Sequence, residues 1–153
     1  MSEHVAIDEV LGHLPAGHVR GRCGLARLVL GCNGGFVVVP AGSEPEPAAR
    51  LARRLVDETR ATIADHLSLV PFLDALVVER SPRQLPGVPA VLVALDLLPD
   101  LLVQGPPVVP VDVVAGVRRL LTGQLLGAWR VDAAQPADTI VLCDPTQATT
   151  SPT

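Results

Sequence analysis

Apolar residues recur along this chain with two periods, one of strands and one of helices. Leu25 to Leu30 and Phe36 to Val39 are β-rich apolar runs, separated by Gly31-Cys32-Asn33-Gly34-Gly35. Asn33-Gly34 supplies the positive φ angles of a tight turn, so the pattern predicts an antiparallel hairpin that Pro40-Ala41-Gly42 brings to an end. The helical period follows. Ala48, Leu51, Ala52, Leu55, Thr59 and Ile63 share one stripe over residues 44–67, and Arg50, Arg53, Arg54, Asp57, Glu58, Arg60 and Asp65 occupy the other face. Ser43 and Glu46 have the spacing of a capping box, with Pro45 tolerated in the first turn. Arg53–Asp57 and Arg54–Glu58 can meet at i,i+4, and the arginine-bearing face reads as a solvated surface with weak ion pairs.

The remaining elements are shorter. Val5 to Leu14 predicts a short helix. Leu73 to Glu79 reads as a buried strand, residues 80–87 as a Pro-containing loop, and Val88 to Leu95 as a second buried strand of the type that helices cover on both faces. Asp96 to Val103 predicts a short helix with Pro99 near its start. Asp112 is placed to cap a helix over Val113 to Thr122 that Gly123 stops, with residues 124–129 continuing it. Trp129 packs the carboxyl-terminal part onto the core. Thr139 to Cys143 reads as a last strand at a sheet edge. The expected fold is α/β (α+β), a central mixed sheet that starts with a β-hairpin and is flanked by helices. One domain over residues 1–145 and a disordered tail over 146–153 complete the expectation.

Composition narrows the function classes. All twelve basic side chains are arginine, and neither lysine nor tyrosine occurs. Both missing residues have AT-rich codons, so the bias fits a GC-rich bacterial genome. Its chemical consequence is the same whatever its cause: no lysine can hold a phosphate in a P-loop, form a Schiff base or complete an Asp…Glu-x-Lys nuclease site. A net charge of -4 and only Phe36, Phe72 and Trp129 as aromatics leave little to hold phosphates or stack on bases, so nucleic acid is not an expected partner. No apolar stretch reaches the roughly eighteen residues of a spanning helix, and the amino terminus has no signal-peptide pattern. Cys23, Cys32 and Cys143 are odd in number and form no CxxC pair, which suits thiols in a reducing cytoplasm.

Candidate chemistry is sparse. His13, His18 and Cys23 stand five positions apart, and with His4 and Cys32 they fit no compact zinc template. No G-x-S-x-G elbow occurs, Cys32 is a thiol in a turn, and Gly31, Gly34 and Gly35 lead into a strand where a dinucleotide motif would need a helix. Asp65-His66 is the one adjacent acid–imidazole pair, at the carboxyl end of the long helix where it suits the helix dipole. Asp74 and Glu79 bracket a strand, five residues apart and on opposite faces. These four residues are the candidate catalytic groups. No cofactor or metal site is expected.

The hairpin running into GFVVV (Gly35 to Val39), then an arginine-bearing helix, DALVVER (Asp74 to Arg80), GVPAVLVALDLLPDLL (Gly87 to Leu102) and VDVVAGVRRLL (Val111 to Leu121) resembles the nuclease-related domain of the restriction-endonuclease-like fold. In that family a hairpin of the form DHxVVxxxGVFVxExK precedes a helix and two further strands. The resemblance covers about Leu25 to Leu121. It would place the family's Asp at Leu25 or Ala26 and its Glu-x-Lys at Val39, Pro40 and Ala41. Shifted by one strand, it would use Asp65-His66 or Asp74, then Glu79-Arg80-Ser81, with serine in place of lysine. Carboxylates must converge on a catalytic cation, so the resemblance implies a catalytically degenerate relative.

The resulting expectation is a non-catalytic binding or protein-interaction module, with a homodimer or a protein partner. One alternative is a metal-dependent hydrolase or nuclease whose site assembles from Asp65, His66, Asp74 and Glu79. Another is a small-molecule sensing domain with an aliphatic pocket.

Overall fold

The computed structural model describes residues 3–15, 17–42, 44–79 and 90–131. The expected loop over 80–87, the strand over 139–143, the tail over 146–153 and the cap Ser43 lie outside the described residues. Within them the fold is α+β, a six-stranded mixed sheet flanked by four helices.

Helix α1 (Glu3–Gly12) leads into three antiparallel strands, β1 (Val19–Cys23), β2 (Ala26–Gly31) and β3 (Gly34–Pro40). Helix α2 (Pro45–Ala64) carries the chain over to β4 (Leu73–Glu79), which pairs parallel to β3. Strand β5 (Val91–Ala94) adds parallel to β4, and a 3-10 turn at Leu95–Leu97 runs into α3 (Leu98–Val103). Helix α4 (Val111–Thr122) and the two-residue β6 (Arg130–Val131) follow, so the sheet order is β5-β4-β3-β2-β1-β6.

Strand alternation sends successive side chains to opposite faces, and each face has its own core. Leu28, Leu30, Val37, Val39, Ala75 and Val77 meet Ala49, Ala52 and Val56 of α2 and Val114 and Val117 of α4. Val29, Phe36, Val38, Leu76 and Val78 meet Ile7 and Leu11 of α1 and Leu98 and Leu102 of α3. Each fully buried Val or Leu contributes about 1.5–3 kcal/mol, and with so few aromatics the core is aliphatic. The helical stripe of α2 is buried apart from Leu51, which is partly exposed, and Arg53–Asp57 at 3.0 Å and Arg54–Glu58 at 3.8 Å lace its outer face.

Several boundaries differ from the sequence pattern. Strand β1 is the main addition. Its alternation, Val19-Arg20-Gly21-Arg22-Cys23, puts arginines where a strand would ordinarily carry apolar residues, yet Arg20 is buried and donates to the Leu11 carbonyl at the end of α1, 2.6 Å away. The β2–β3 turn lies one residue earlier than expected. Gly31 pairs with Gly34, and of Cys32, Asn33 and Gly34 only Gly34 has positive φ, at 135°. The reason is tertiary: the Asn33 amide donates to the Leu102 and Gln104 carbonyls at 2.7 and 3.0 Å, and the Cys32 carbonyl accepts from Val108 and Val109.

Both long helices are capped differently from the sequence pattern. Glu44 is the N-cap of α2, with no side-chain cap bond, and α4 begins after Pro110 with Asp112 in its first turn. Residues 124–129 do not extend α4. Gln124 takes φ 59°, and the chain turns so that Trp129 buries its indole. Strand β5 is not covered on both faces, because Val91 is exposed and only Val93 is fully buried. At Gly35 a Cβ would fall on Leu73 Cδ2 and close on Leu30 Cδ1, so a side chain there would have to displace both leucine ends.

Candidate functional site

The four sequence-predicted site residues do not come together. Asp65 and His66 are exposed at the end of α2, where the Asp65 amide closes the helix on the Ala61 and Thr62 carbonyls. Asp74 is half-buried near the start of β4 on the α1 and α3 face, and Glu79 is buried at its far end on the opposite face. Their backbone positions are five strand steps, about 16 Å, apart. Among the described residues, no three His, Cys, Asp or Glu side chains are grouped so that they could hold a metal ion. Cys23 and Cys32 are free thiols, each partly buried.

The positions that the hairpin correspondence singles out are apolar and deeply placed. Ala26, Val39 and Ala41 belong to one cluster, beneath α2 and α4, and none is more than 5% exposed. Leu25, the other residue considered for the carboxylate, is exposed in the β1–β2 turn.

The feature best shaped to hold a ligand is a groove of about 380 Å³ at the end of the sheet where β3 and β4 begin. Three loops wall it: the β2–β3 turn with Asn33 and Gly34, the α2–β4 connection with Leu69 to Phe72, and the segment before α4 with Val108 to Pro110. Phe36 and Val113 close it from opposite sides of the sheet end. Its rim is apolar and open to solvent, with Phe72 65%, Val108 64% and Leu69 50% exposed. The Arg60 guanidinium stands 5.9 Å from the Phe72 ring centroid and steadies that wall by a cation–π contact. Among the described lining residues Asp74 alone is charged. A wider, shallower cleft between α1 and α3 is lined by Glu9, His13 and Asp96 over Ala6, Val10 and Leu95.

Behind the β2–β3 turn lies His18. Its Nδ1 faces the Pro15 carbonyl at 3.2 Å, and its Nε2 is buried without a hydrogen-bond partner among the described residues. The ring is wedged against Gly31, where a Cβ would come within 2.6 Å of Nε2. Burial holds the imidazole pKa below its ordinary 6.5, and the Pro15 carbonyl, with Asn33 and Leu102 beside it, pulls upward without offsetting this. The folded state therefore prefers neutral His18. Its contribution to stability is fully present above about pH 6.5 and is lost as the pH falls from there toward the depressed folded value. Between about pH 7.5 and pH 5.5, the melting temperature of the native chain falls further than that of His18→Gln. Parallel pH profiles of the two proteins would refute this assignment.

Nothing in the sequence marks Phe72, Val108 or Asn33 as a site residue. They sit in three loops far apart along the chain, and only the scarcity of aromatics marks Phe72. Among the described residues no helix is long and apolar enough to cross a membrane. Comparison with family models, with curated proteins and with solved structures finds no match to this chain.

Proposed function

We propose that this chain is a non-catalytic binding module on a nuclease-like scaffold, and that the groove between the three loops is its working surface. The observation that carries the reading is the burial of Ala26, Val39 and Ala41 in one apolar cluster. These are the positions at which the resemblance expects Asp, Glu and Lys, and they serve here as core. The succession of β2, β3, α2, β4 and β5 supports the kinship, since a hairpin, a helix and two further strands is the order that the resemblance implies. A scaffold relieved of catalysis keeps its loops as the place where specificity resides.

Two measurements test this. Incubation with single- and double-stranded DNA and RNA in Mg²⁺ or Mn²⁺ yields no cleavage above buffer. A fragment screen followed by NMR gives shifts that cluster on Gly34, Gly35 and Val108. Metal-dependent cleavage abolished by Asp74→Ala or Glu79→Ala would replace this reading with that of a dispersed-site hydrolase, and a screen without groove ligands would end it. Sedimentation at several concentrations reads out the homodimer expected from the exposed apolar rim.

A further inference from the structure

The groove combines two properties that together select a ligand class. Its walls are apolar, formed by Phe36, Val70, Phe72, Val109 and Val113, and its volume of about 380 Å³ lies within the range of small-molecule sites. Into this surface projects a single carboxylate, Asp74. Asp74 is half-buried, and among the described residues no hydrogen bond or ion pair holds it. The carboxylate offers the groove one strong acceptor at the edge of apolar walls, and a cation seated there would be held by a charge-assisted hydrogen bond while its body displaces water from the aromatic rings.

The charges nearby are consistent with a cation. The amino end of α4 reaches the rim through Pro110 and Val113, and its partial positive charge would by itself favour an anion. Asp112 in the first turn of that helix offsets it. Arg60 stacks on Phe72 and does not line the groove. Among the described residues no cationic side chain lines it.

We infer that the groove takes a small organic amine, with its alkyl or aryl body between Phe72 and Val109 and its ammonium group on the Asp74 carboxylate. The inference rests on the proposed role of the groove as the working surface and adds the chemistry of its ligand.

Three probes of similar shape separate the contributions: phenylbutylamine, phenylbutanol and phenylbutyrate, titrated into the full chain and followed at the Gly34, Gly35 and Val109 amides. The amine binds roughly three- to tenfold more tightly than the alcohol, the modest factor reflecting a half-exposed partner, and the carboxylate binds most weakly. Asp74→Asn, nearly isosteric, brings the amine to the affinity of the alcohol. Phe72→Ser weakens both. Equal binding of the three probes at the groove would overturn the amine inference while leaving the binding surface intact, as would an amine preference that survives Asp74→Asn. Absence of any groove shift would overturn both.

Discussion

Trp129→Ala costs about 3–5 kcal/mol of folding stability, the range for removing a buried Trp, and is the most damaging single truncation expected in this chain. The indole is 2% exposed and belongs to the larger core cluster, between α2 and the turn that follows α4. Its Nε1 donates to the Thr59 hydroxyl at 2.7 Å, and that hydroxyl donates in turn to the Leu55 carbonyl at 2.5 Å. The loss therefore has two parts, a cavity and a broken buried hydrogen bond. Trp129→Phe separates them. It keeps most of the packing and loses the bond, so it costs about 1–2 kcal/mol. Urea denaturation of the three proteins measures both values, and a Trp129→Ala penalty below about 1 kcal/mol would mean that the indole is not the anchor described.

The second large effect lies on the opposite face and has an asymmetry that makes it informative. Arg27 projects from β2 with its side chain 8% exposed, whereas that of Asp8 on α1 is 45% exposed. The guanidinium grips the carboxylate with two bonds of 2.7 and 3.1 Å and also donates to the Gly24 and Ala26 carbonyls. Asp8→Ala strands a buried cation on two carbonyls and costs about 1–3 kcal/mol, reduced from the fully buried case because water reaches the vacated side. Arg27→Met removes the buried charge itself and leaves a carboxylate that water can solvate, so it costs less than Asp8→Ala. The double variant recovers part of the Asp8→Ala loss. An Arg27→Met penalty equal to or above that of Asp8→Ala would show that the pair acts through packing and not through charge burial.

Much of the fold could be read along the chain because its strongest signals are local. The α2 stripe, the apolar run of β3 and the buried β4 follow from side-chain period alone, and each is where the pattern places it. Strand β1 escaped because its alternating partner residues are arginines. Arg22 is exposed, and the burial of Arg20 depends on the Leu11 carbonyl, supplied by a helix that precedes the strand. The turn shifted by one residue because carbonyls some seventy positions away compete for Asn33. The candidate site was least legible of all. The sequence marks Asp74 only as a strand-bracketing carboxylate, and its relation to Phe72 and Val109 exists only where three loops converge. Ala26, Val39 and Ala41 were legible as absences, and their burial gives those absences a structural role.

The bonds from Asn33 to Leu102 and Gln104 join positions 69 and 71 residues apart, and the Cys32 carbonyl reaches farther still, to Val108 and Val109. Contacts of such long range carry the closure entropy of the whole intervening chain, so they form once β3, α2, β4 and α3 are in place. The hairpin alone has one wall of the groove and a chain folded through β4 has two. Only after this clasp closes is the third wall present, which makes occupancy of the groove a property of the chain folded at least as far as Val109 and ties any ligand it holds to that long-range closure.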